Sequence, residues 1–318
     1  MNPSLTTRAL GTVAVTGATG GLGSRVARRL AAAGVSLRLV CRDPQRVDLL
    51  PALNGGPESV QVVAGSFGDA GVMRAAFTGA DCVFLVSGRE AVDRLQQHYT
   101  AVEAAAAAGV RHLVYTSYLG AAPEATFTLA RDHFSTEERI KASGLGYTFL
   151  RDSLYLDFLP MMLWDDDVIR GPAADGRVAC VSRDDVADVA VAVLMGSAPY
   201  SGGASPSPHL GATYNLTGPV ALTLDDIAEA MARHSGRPIT YLRESIDQAR
   251  ASRAGSGAPD WMVDGWVSMY TAIAAGELEL VTDHVEQVSG HQAVGLEQHL
   301  ATHPLDRDDG TANQPSTI

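Results

Sequence analysis

The sequence predicts a doubly wound α/β fold, in which a parallel β-sheet carries helices on both faces. Short apolar segments of β-forming residues alternate with helical segments through the first half of the chain. Such alternation is typical of βαβ units, whose right-handed crossovers wind the sheet in both directions. A glycine-rich turn joins the first predicted strand to the first predicted helix, as a tight connection between the two requires.

The elements follow one another regularly as far as residue 155. Strands are predicted at 12–16, 36–41, 60–64, 82–86, 112–117 and 147–151. Helices are predicted at 21–33, 90–109 and 131–143. A later helix at 184–194 is expected to pack back on the same sheet.

After about residue 155 the regular alternation of predicted strands and helices ends. A strand at 214–216, a helix at 224–235 capped by Thr223 and a strand at 239–242 are predicted to form a small α/β unit. Residues 197–212 are rich in Gly, Pro and Ser and are expected to form a mobile loop, and 259–275 has the pattern of an amphipathic helix.

We therefore divide the chain into two regions and a tail. The sheet domain is predicted to span 1–155 and to take in about 177–196. A substrate-side region is expected at 156–176 and 197–303, and 304–318 is expected to be a flexible tail.

Composition excludes several classes of protein. The 318 residues carry a net charge of −12, with 46% hydrophobic and 19% charged residues, as in globular proteins rather than disordered ones. The acidic balance argues against a general nucleic-acid binder. Three distant cysteines suggest neither a disulfide framework nor a zinc site. No signal peptide and no apolar run of 18 residues is apparent, so we expect a cytoplasmic protein without a membrane span.

The glycine turn predicts a dinucleotide site. Gly17, Gly20 and Gly23 stand three residues apart between a predicted strand and a predicted helix. The first glycine permits a tight exit from the strand, the second lets the backbone approach a pyrophosphate, and the third lets the helix pack close to the sheet. The free N–H groups at the helix start favour an anion. The turn therefore indicates a Rossmann fold that binds NAD(P), although a purely structural turn is the alternative.

The end of the second strand favours NADP over NAD. A carboxylate at that position would bind the ribose hydroxyls of NAD, but the strand ends on Cys41 and Arg42, with Asp43 following. A guanidinium can bind a 2′-phosphate with two hydrogen bonds and stack on adenine. The alternative is that Arg42 is an ordinary surface charge.

The chain resembles the atypical short-chain dehydrogenases of the NmrA-like group, and within it the NAD(P)H:quinone oxidoreductase branch. The resemblance is carried by VTGATGGLGSRV from residue 15, GVRHLVYTSYLGA at 109–121, HFSTEERIKASGLGYTFLR at 133–151 and YNLTGP from residue 214. The segments cover most of residues 10–300. The last two are much more specific than the glycine turn.

The resemblance implies a set of cofactor contacts along the carboxyl edge of the sheet. The glycine turn, with Thr19, Gly21 and Leu22, is expected on the pyrophosphate. The adenosine end is expected to face Arg42, Ser66 and Phe67, and the ribose is expected to be flanked by Val86 and Ser87. The nicotinamide is expected to lie near Ser153 and Tyr155. Relatives often carry Asp in place of Ser66, and often a proline where this chain has Asp152.

The catalytic pair of simple carbonyl reductases is absent. Short-chain dehydrogenases use Tyr-x-x-x-Lys, in which the lysine lowers the pKa of the tyrosine. In the register that the resemblance implies, Leu129 and His133 occupy those positions, and Lys141 lies eight residues too late. His133 is therefore a candidate for a ribose contact or a proton relay, and Tyr118 for a hydrogen bond to substrate. Each could equally be structural.

Two further features of the sequence are an apolar run after the sixth predicted strand and a run of three aspartates. An apolar run after the sixth strand could line a site for a flat aromatic molecule or be ordinary core: Tyr155, Phe158, Met161, Met162 and Trp164. Three consecutive aspartates at 165–167 have no spacing suited to a metal, so no metal is expected.

These features lead to one main hypothesis and two alternatives. The main hypothesis is an NADPH-dependent oxidoreductase that transfers hydride, without flavin or metal, to a quinone or a similar electrophilic small molecule. The alternatives are an NADP-sensing regulator without catalysis and a specialised reductase or isomerase of secondary metabolism. A homodimer is possible, and neither nucleic acid nor membrane is expected as a partner.

Overall fold

The computed structural model describes residues 11–49, 60–196 and 207–305 of the chain. The strands are β1 (Thr12–Thr16), β2 (Ser36–Cys41), β3 (Val60–Ala64), β4 (Cys82–Leu85), β5 (His112–Tyr118), β6 (Gly146–Asp152), β7 (Val168–Gly171), β8 (Arg177–Val178), β9 (Thr213–Leu216), β10 (Leu222–Thr223) and β11 (Thr240–Arg243). The helices are α1 (Gly21–Ala32), α2 (Ala70–Phe77), α3 (Arg94–Ala107), α4 (Thr128–Ala142), α5 (Arg183–Gly196), α6 (Leu224–Ser235), α7 (Ile246–Arg253), α8 (Asp260–Ala274), α9 (His284–Ser289) and α10 (Leu296–Thr302).

A parallel sheet forms the centre of the molecule. Within the described residues it has seven strands in the order β3-β2-β1-β4-β5-β6-β9, and every neighbouring pair is parallel. Strands β1 to β3 extend the sheet in one direction from its centre, and β4, β5, β6 and β9 extend it in the other, so the strand order reverses between β1 and β4. The carboxyl ends flanking that switch point form the crevice where ligands bind in such sheets. The predicted doubly wound class is confirmed.

Side chains alternate between the two faces of the sheet, and each face has its own apolar core. In β5, Val114 points into the core beneath α1 and α5, whereas Leu113 and Tyr115 point into the core beneath α2, α3 and α4. Strands buried on both faces explain the continuous apolar runs in the sequence.

A third core joins the remaining elements beyond the carboxyl edge of the sheet. It combines α6, α8 and α10 with the chain after β6, and it includes Tyr118, Leu156 and Met231. Two small sheets belong to this region: β7 pairs with β11 in parallel, and β8 pairs with β10 in antiparallel fashion. The helix α6 begins in a full capping box, in which Thr223 and Asp226 bond to each other's backbone N–H groups.

The structure corrects the predicted small α/β unit. Residues 213–216 are not part of it, because β9 lies beside β6 as the seventh strand of the main sheet, with Leu150 paired to Tyr214. The apolar Leu216 is fully buried there. The helix expected from residue 90 starts at Arg94, and the one expected from residue 131 starts earlier, at Thr128. Of the predicted mobile loop and tail, residues 197–206 and 306–318 lie outside the described residues.

Two absences hold for the residues that the structure describes. None of their helices combines the length and apolar character needed to cross a membrane. Nor do three or more of their His, Cys, Asp or Glu side chains gather where they could hold a metal ion.

Candidate dinucleotide and substrate site

The glycine turn has the geometry that a close approach requires. Gly17 adopts φ +58°, which favours glycine, and its carbonyl accepts a hydrogen bond of 2.8 Å from the N–H of Gly20. A Cβ added to Gly23 would lie 2.2 Å from the Gly17 oxygen, a distance no side chain tolerates. Gly23 therefore lets the first turn of α1 pack against the end of β1.

The start of α1 is open to an anion. Gly20 is its N-cap, no side chain caps it, and its first turn contains no acidic residue. The amide groups of Gly21 and Leu22 thus stand at the positive end of the helix dipole. Leu22 packs its side chain into the core, so only its backbone can face a ligand, whereas Thr19 is partly exposed. These features fit a pyrophosphate.

The adenosine end of the predicted site is exposed. Arg42 directly follows β2, its side chain faces solvent, and it has no hydrogen bond or ion pair with any described residue. Ser66 is exposed in the turn after β3, and Phe67 is half-buried with its ring edge toward His98 at 6.3 Å between centroids. Arg42 is thus a cation available for a phosphate.

The end of β4 lies directly against the glycine turn. A Cβ at Gly17 would come within 3.3 Å of the Cβ of Val86. The N–H of Val86 donates to Thr16 Oγ1 at 2.9 Å, and that of Ser87 donates to Thr116 Oγ1 at 2.8 Å. The structure therefore brings Val86 and Ser87 to the same edge as the turn, between β1 and β5.

His133 is buried in a network that occupies both of its ring nitrogens. Nε2 lies 2.9 Å from Nη2 of Arg94, and Nδ1 lies 3.0 Å from the hydroxyl of Tyr115. The guanidinium also donates to the carbonyl of Gly88 and contacts Asp132, so it ties α4 to α3 and to the loop after β4.

This network fixes His133 as a neutral ring. A guanidinium only donates, so Nε2 accepts and the ring proton resides on Nδ1. Burial, and then the charge of Arg94, hold the pKa of His133 well below its usual range. A second ring proton would face the buried cation of Arg94, which argues against a relay that ionises near neutrality; the relay stays a prediction. The ribose contact of His133 stays a prediction.

Ser117, which precedes Tyr118 at the end of β5, is also held by its neighbours. Its hydroxyl donates to Oε1 of Glu137 at 2.5 Å, and Arg151 donates to both oxygens of that carboxylate at 2.8 and 2.5 Å. Glu137 is fully buried. We did not predict this ion pair. The spacing of Glu137 from Ala130, His133 and Ile140 could have indicated it, because these residues share the buried face of α4.

Two predicted site residues have buried hydroxyl groups without partners. Tyr118 at the end of β5 and Ser153 just after β6 are 6% and 1% exposed. Neither Tyr118 Oη nor Ser153 Oγ has a hydrogen-bond partner among the described residues. Burial raises the pKa of Tyr118, so this phenol stays protonated and can donate. A buried polar atom without a partner carries a free-energy penalty that a bound ligand can remove.

The last residue of β6 is a second acidic group that we did not predict as functional. Asp152 is paired in register with Tyr118, is 5% exposed, and accepts a hydrogen bond from the hydroxyl of Tyr155. Burial raises the pKa of Asp152 to about 7. The guanidinium of Arg183 lies over the Tyr155 ring at 4.8 Å and beside Gly21, where an added Cβ would be 3.3 Å from Arg183 Cδ. This cluster thus connects the glycine turn to the ends of β5 and β6.

Other predicted residues lie elsewhere. Lys141 is exposed and pairs with Glu138 at 2.7 Å, while Leu129 packs on the third core. Trp164 lies under Arg170 at 5.0 Å. A cavity of about 550 Å³ lies between α6, α10 and the chain after β9. Leu156 lines it, but none of the five residues predicted to form an aromatic pocket does.

Comparisons with known proteins show an NAD(P)H-binding family. A family model described as NAD(P)H-binding matches residues 17–196. The NAD(P)H azoreductase of Xenophilus azovorans is 28% identical, over 92% of this chain and 97% of its own. Quinone oxidoreductase 2 of Escherichia coli is 30% identical, over 91% of this chain and 97% of its own.

The solved structures extend the likeness to the fold. The NADPH-dependent quinone oxidoreductase of E. coli, crystallised with NADPH, has a TM-score of 0.78 and 29% identity, covering 91% of this chain and 99% of its own. NmrA, a negative transcriptional regulator, is 19% identical over 94% of this chain and 96% of its own, with a TM-score of 0.72, which shows a shared fold alone.

Proposed function

Because the chain belongs to the NAD(P)H-binding family of the NmrA-like short-chain dehydrogenases, we propose that it is a reductase that uses NADPH to reduce quinones or similar electrophilic aromatic molecules. The observation that carries the proposal is the pair of buried hydroxyl groups of Tyr118 and Ser153, which have no hydrogen-bond partner within the described part of the chain. They stand where β5 and β6 end, on the same sheet edge as the glycine turn.

We propose the following cofactor contacts. The backbone from Gly17 to Gly23 and the open start of α1 hold the pyrophosphate, and Arg42 holds the 2′-phosphate. Ser66 and Phe67 lie by the adenine, Val86 and Ser87 flank the nicotinamide ribose with His133 behind them, and Ser153 and Tyr155 meet the nicotinamide. Arg183 adds a cation near the pyrophosphate. Bound there, NADPH supplies a hydride.

The protein's part in catalysis is positioning. The neutral ring of His133 and the Glu137–Arg151 pair keep α4, β5 and β6 in fixed relation, so the nicotinamide end of the site is preorganised. Tyr118, whose phenol stays protonated, donates a hydrogen bond to the acceptor oxygen. The substrate class is supported by the names of the relatives, a quinone oxidoreductase and an azoreductase, and by the electrophilic nature that their acceptors share.

The test is NADPH oxidation by the purified protein with a benzoquinone, a naphthoquinone and an azo dye. We expect acceptor-dependent loss of NADPH absorbance with at least one of them. Tyr118→Phe and Ser153→Ala are expected to lower turnover while NADPH still binds, and Lys141→Ala serves as the matched variant outside the site. Tight NADPH binding without turnover on any acceptor would replace the reductase with the sensor hypothesis.

A further inference from the structure

The proposed reductase lacks an evident proton donor. Reduction of a quinone consumes one hydride and one proton from the surroundings, and the Tyr-x-x-x-Lys pair that supplies protons in related enzymes is absent. His133 is held neutral, with its free lone pair directed at Arg94. Ser117 already donates to Glu137. Tyr118 can donate a hydrogen bond, but burial raises the pKa of its phenol, so the site needs a second group that exchanges a proton more readily.

Asp152 and Tyr155 form a coupled pair at that edge. The two side chains are joined by one hydrogen bond, in which the phenol donates to the carboxylate. Asp152 is almost completely buried, whereas Tyr155 is partly exposed. Asp152 also lies opposite Tyr118 across the parallel pair of β5 and β6, so the two residues are neighbours at the edge where the acceptor is proposed to bind.

We propose that Asp152 stores the proton consumed in the reduction and that Tyr155 delivers it to the acceptor. This inference rests on the proposed reductase function. With Asp152 as a carboxylate, the Tyr155 hydroxyl is occupied in donating to it. With Asp152 protonated, the acid donates to the phenolic oxygen, and the Tyr155 hydroxyl is free to donate to the acceptor.

The proton balance closes with this pair. The acceptor gains a hydride, with both electrons, and its carbonyl oxygen gains a proton. The O–H bond of Tyr155 breaks as the O–H bond on the acceptor forms, while the proton of Asp152 moves to the phenolic oxygen. The carboxylate that remains takes a proton from water before the next turnover.

The surroundings shift the pKa of Asp152 toward neutral pH and, mainly through burial, raise the pKa of Tyr155, so the phenol gives up its proton only as Asp152 supplies another. The groups that act on the Asp152 carboxyl are the phenol of Tyr155, the backbone N–H of Asp152 itself and the guanidinium of Arg183 at the start of α5, and the phenol of Tyr118 is a further titratable group near it. Burial is the largest influence and raises the pKa of Asp152 to about 7, against the opposing effects of Tyr155 and Arg183. Asp152 is thus protonated below about pH 7 and ionised above it.

The first experiment requires no turnover. Infrared titration of the unliganded protein, with the spectrum of Asp152→Asn subtracted, is expected to show a buried carboxylic acid band that disappears with a midpoint near pH 7. Tyr155→Phe should retain a band, because the acid remains when its partner is lost. A midpoint near the ordinary value for aspartic acid would overturn the proposal.

The second experiment is the pH profile of NADPH oxidation with a benzoquinone. The wild-type kcat is expected to fall above about pH 7, and at pH 6 both Asp152→Asn and Tyr155→Phe should be slower by about 100-fold. The profile of Asp152→Asn should be flat, whereas that of the exposed control Asp175→Asn should match wild type. Circular dichroism and NADPH titration establish that each variant folds and binds.

The outcomes separate the two proposals. An active Asp152→Asn that retains the wild-type decrease above pH 7 would overturn the proton store and leave the reductase function intact. An absence of turnover by wild type on every acceptor would remove the reductase function, and the proton delivery with it. A Tyr155→Phe variant with full activity at pH 6 would exclude the phenol as the donor.

Discussion

The two ends of the predicted cofactor site are built in opposite ways. At the adenosine and pyrophosphate end, the expected contacts come from backbone at exposed glycines and from Arg42, which has no partner among the described residues. At the nicotinamide end, the expected contacts lie among buried side chains that depend on one another, and His133, Glu137 and Arg151 form the hydrogen-bonded network behind them. The first end is specified by short local sequence, and the second by packing between distant segments.

This contrast has an energetic consequence. A change at the exposed end should reduce cofactor binding and leave the fold stable, because little packing is lost. A change at the buried end should reduce stability first, because it leaves charges or hydrogen-bonding groups without partners away from water. The following predictions test that difference, from the largest expected effect to the smallest.

Removal of the buried carboxylate should have the largest effect. Glu137→Ala leaves the half-buried guanidinium of Arg151 and the hydroxyl of Ser117 without their partner, and we expect a loss of about 3–5 kcal/mol in the free energy of unfolding. Denaturant unfolding of Glu137→Ala and of the wild type measures this loss. The neighbouring Glu138→Ala, at an exposed pair with Lys141, should change stability by no more than about 0.5 kcal/mol. Similar losses from both variants would contradict the contrast.

A side chain in the glycine turn should abolish binding instead. Gly20→Val places a branched side chain at the open start of α1, where we propose the pyrophosphate lies, so NADPH affinity should fall more than about 100-fold, or roughly 3 kcal/mol. An added Cβ would meet only the Gly17 oxygen, at 3.2 Å, so the fold should persist. Circular dichroism and calorimetric titration test both points, with Gly255→Val as the control in open space. Normal binding by a folded Gly20→Val protein would remove Gly20 from the site.

Loss of the cation after β2 should affect one cofactor more than the other. Arg42→Ala is expected to weaken NADPH binding by about 1.5–3 kcal/mol, the range for a hydrogen bond to a charged group, and to leave NADH binding almost unchanged. The matched control is Arg74→Ala, an exposed arginine near the far end of α2. Equal affinity of the wild type for NADPH and NADH in calorimetry would be incompatible with this role.

His133 and Lys141 should differ although they share a helix. His133→Ala leaves Arg94 and Tyr115 without a buried partner, which should cost about 1–3 kcal/mol of stability and lower NADPH affinity if the ribose contact exists. It should not remove an ionisation near neutrality from the pH–rate profile, because the ring does not titrate there. Lys141→Ala should stay within about 0.5 kcal/mol of wild type. If the wild-type pH–rate profile shows an ionisation near pH 7 that is lost in His133→Ala, His133 would act as a proton relay after all.

The sequence determined the fold class, the glycine turn and membership of an NAD(P)H-binding family, because each depends on residues close together in the chain. The pattern of strand, glycines and helix can be read locally, and so can the arginine that follows β2. The six strands predicted before residue 155 are all present at close to their predicted bounds.

Only the tertiary structure decided which distant groups meet. The placement of β9 beside β6, the burial of Glu137 against Arg151, the neutral state of His133 and the hydrogen bond between Asp152 and Tyr155 all depend on it. The charge state of a buried group depends on how far packing excludes water and on which partner packing brings near. Neither property is encoded in a short segment, and this is why the nicotinamide end of the site was the harder one to predict.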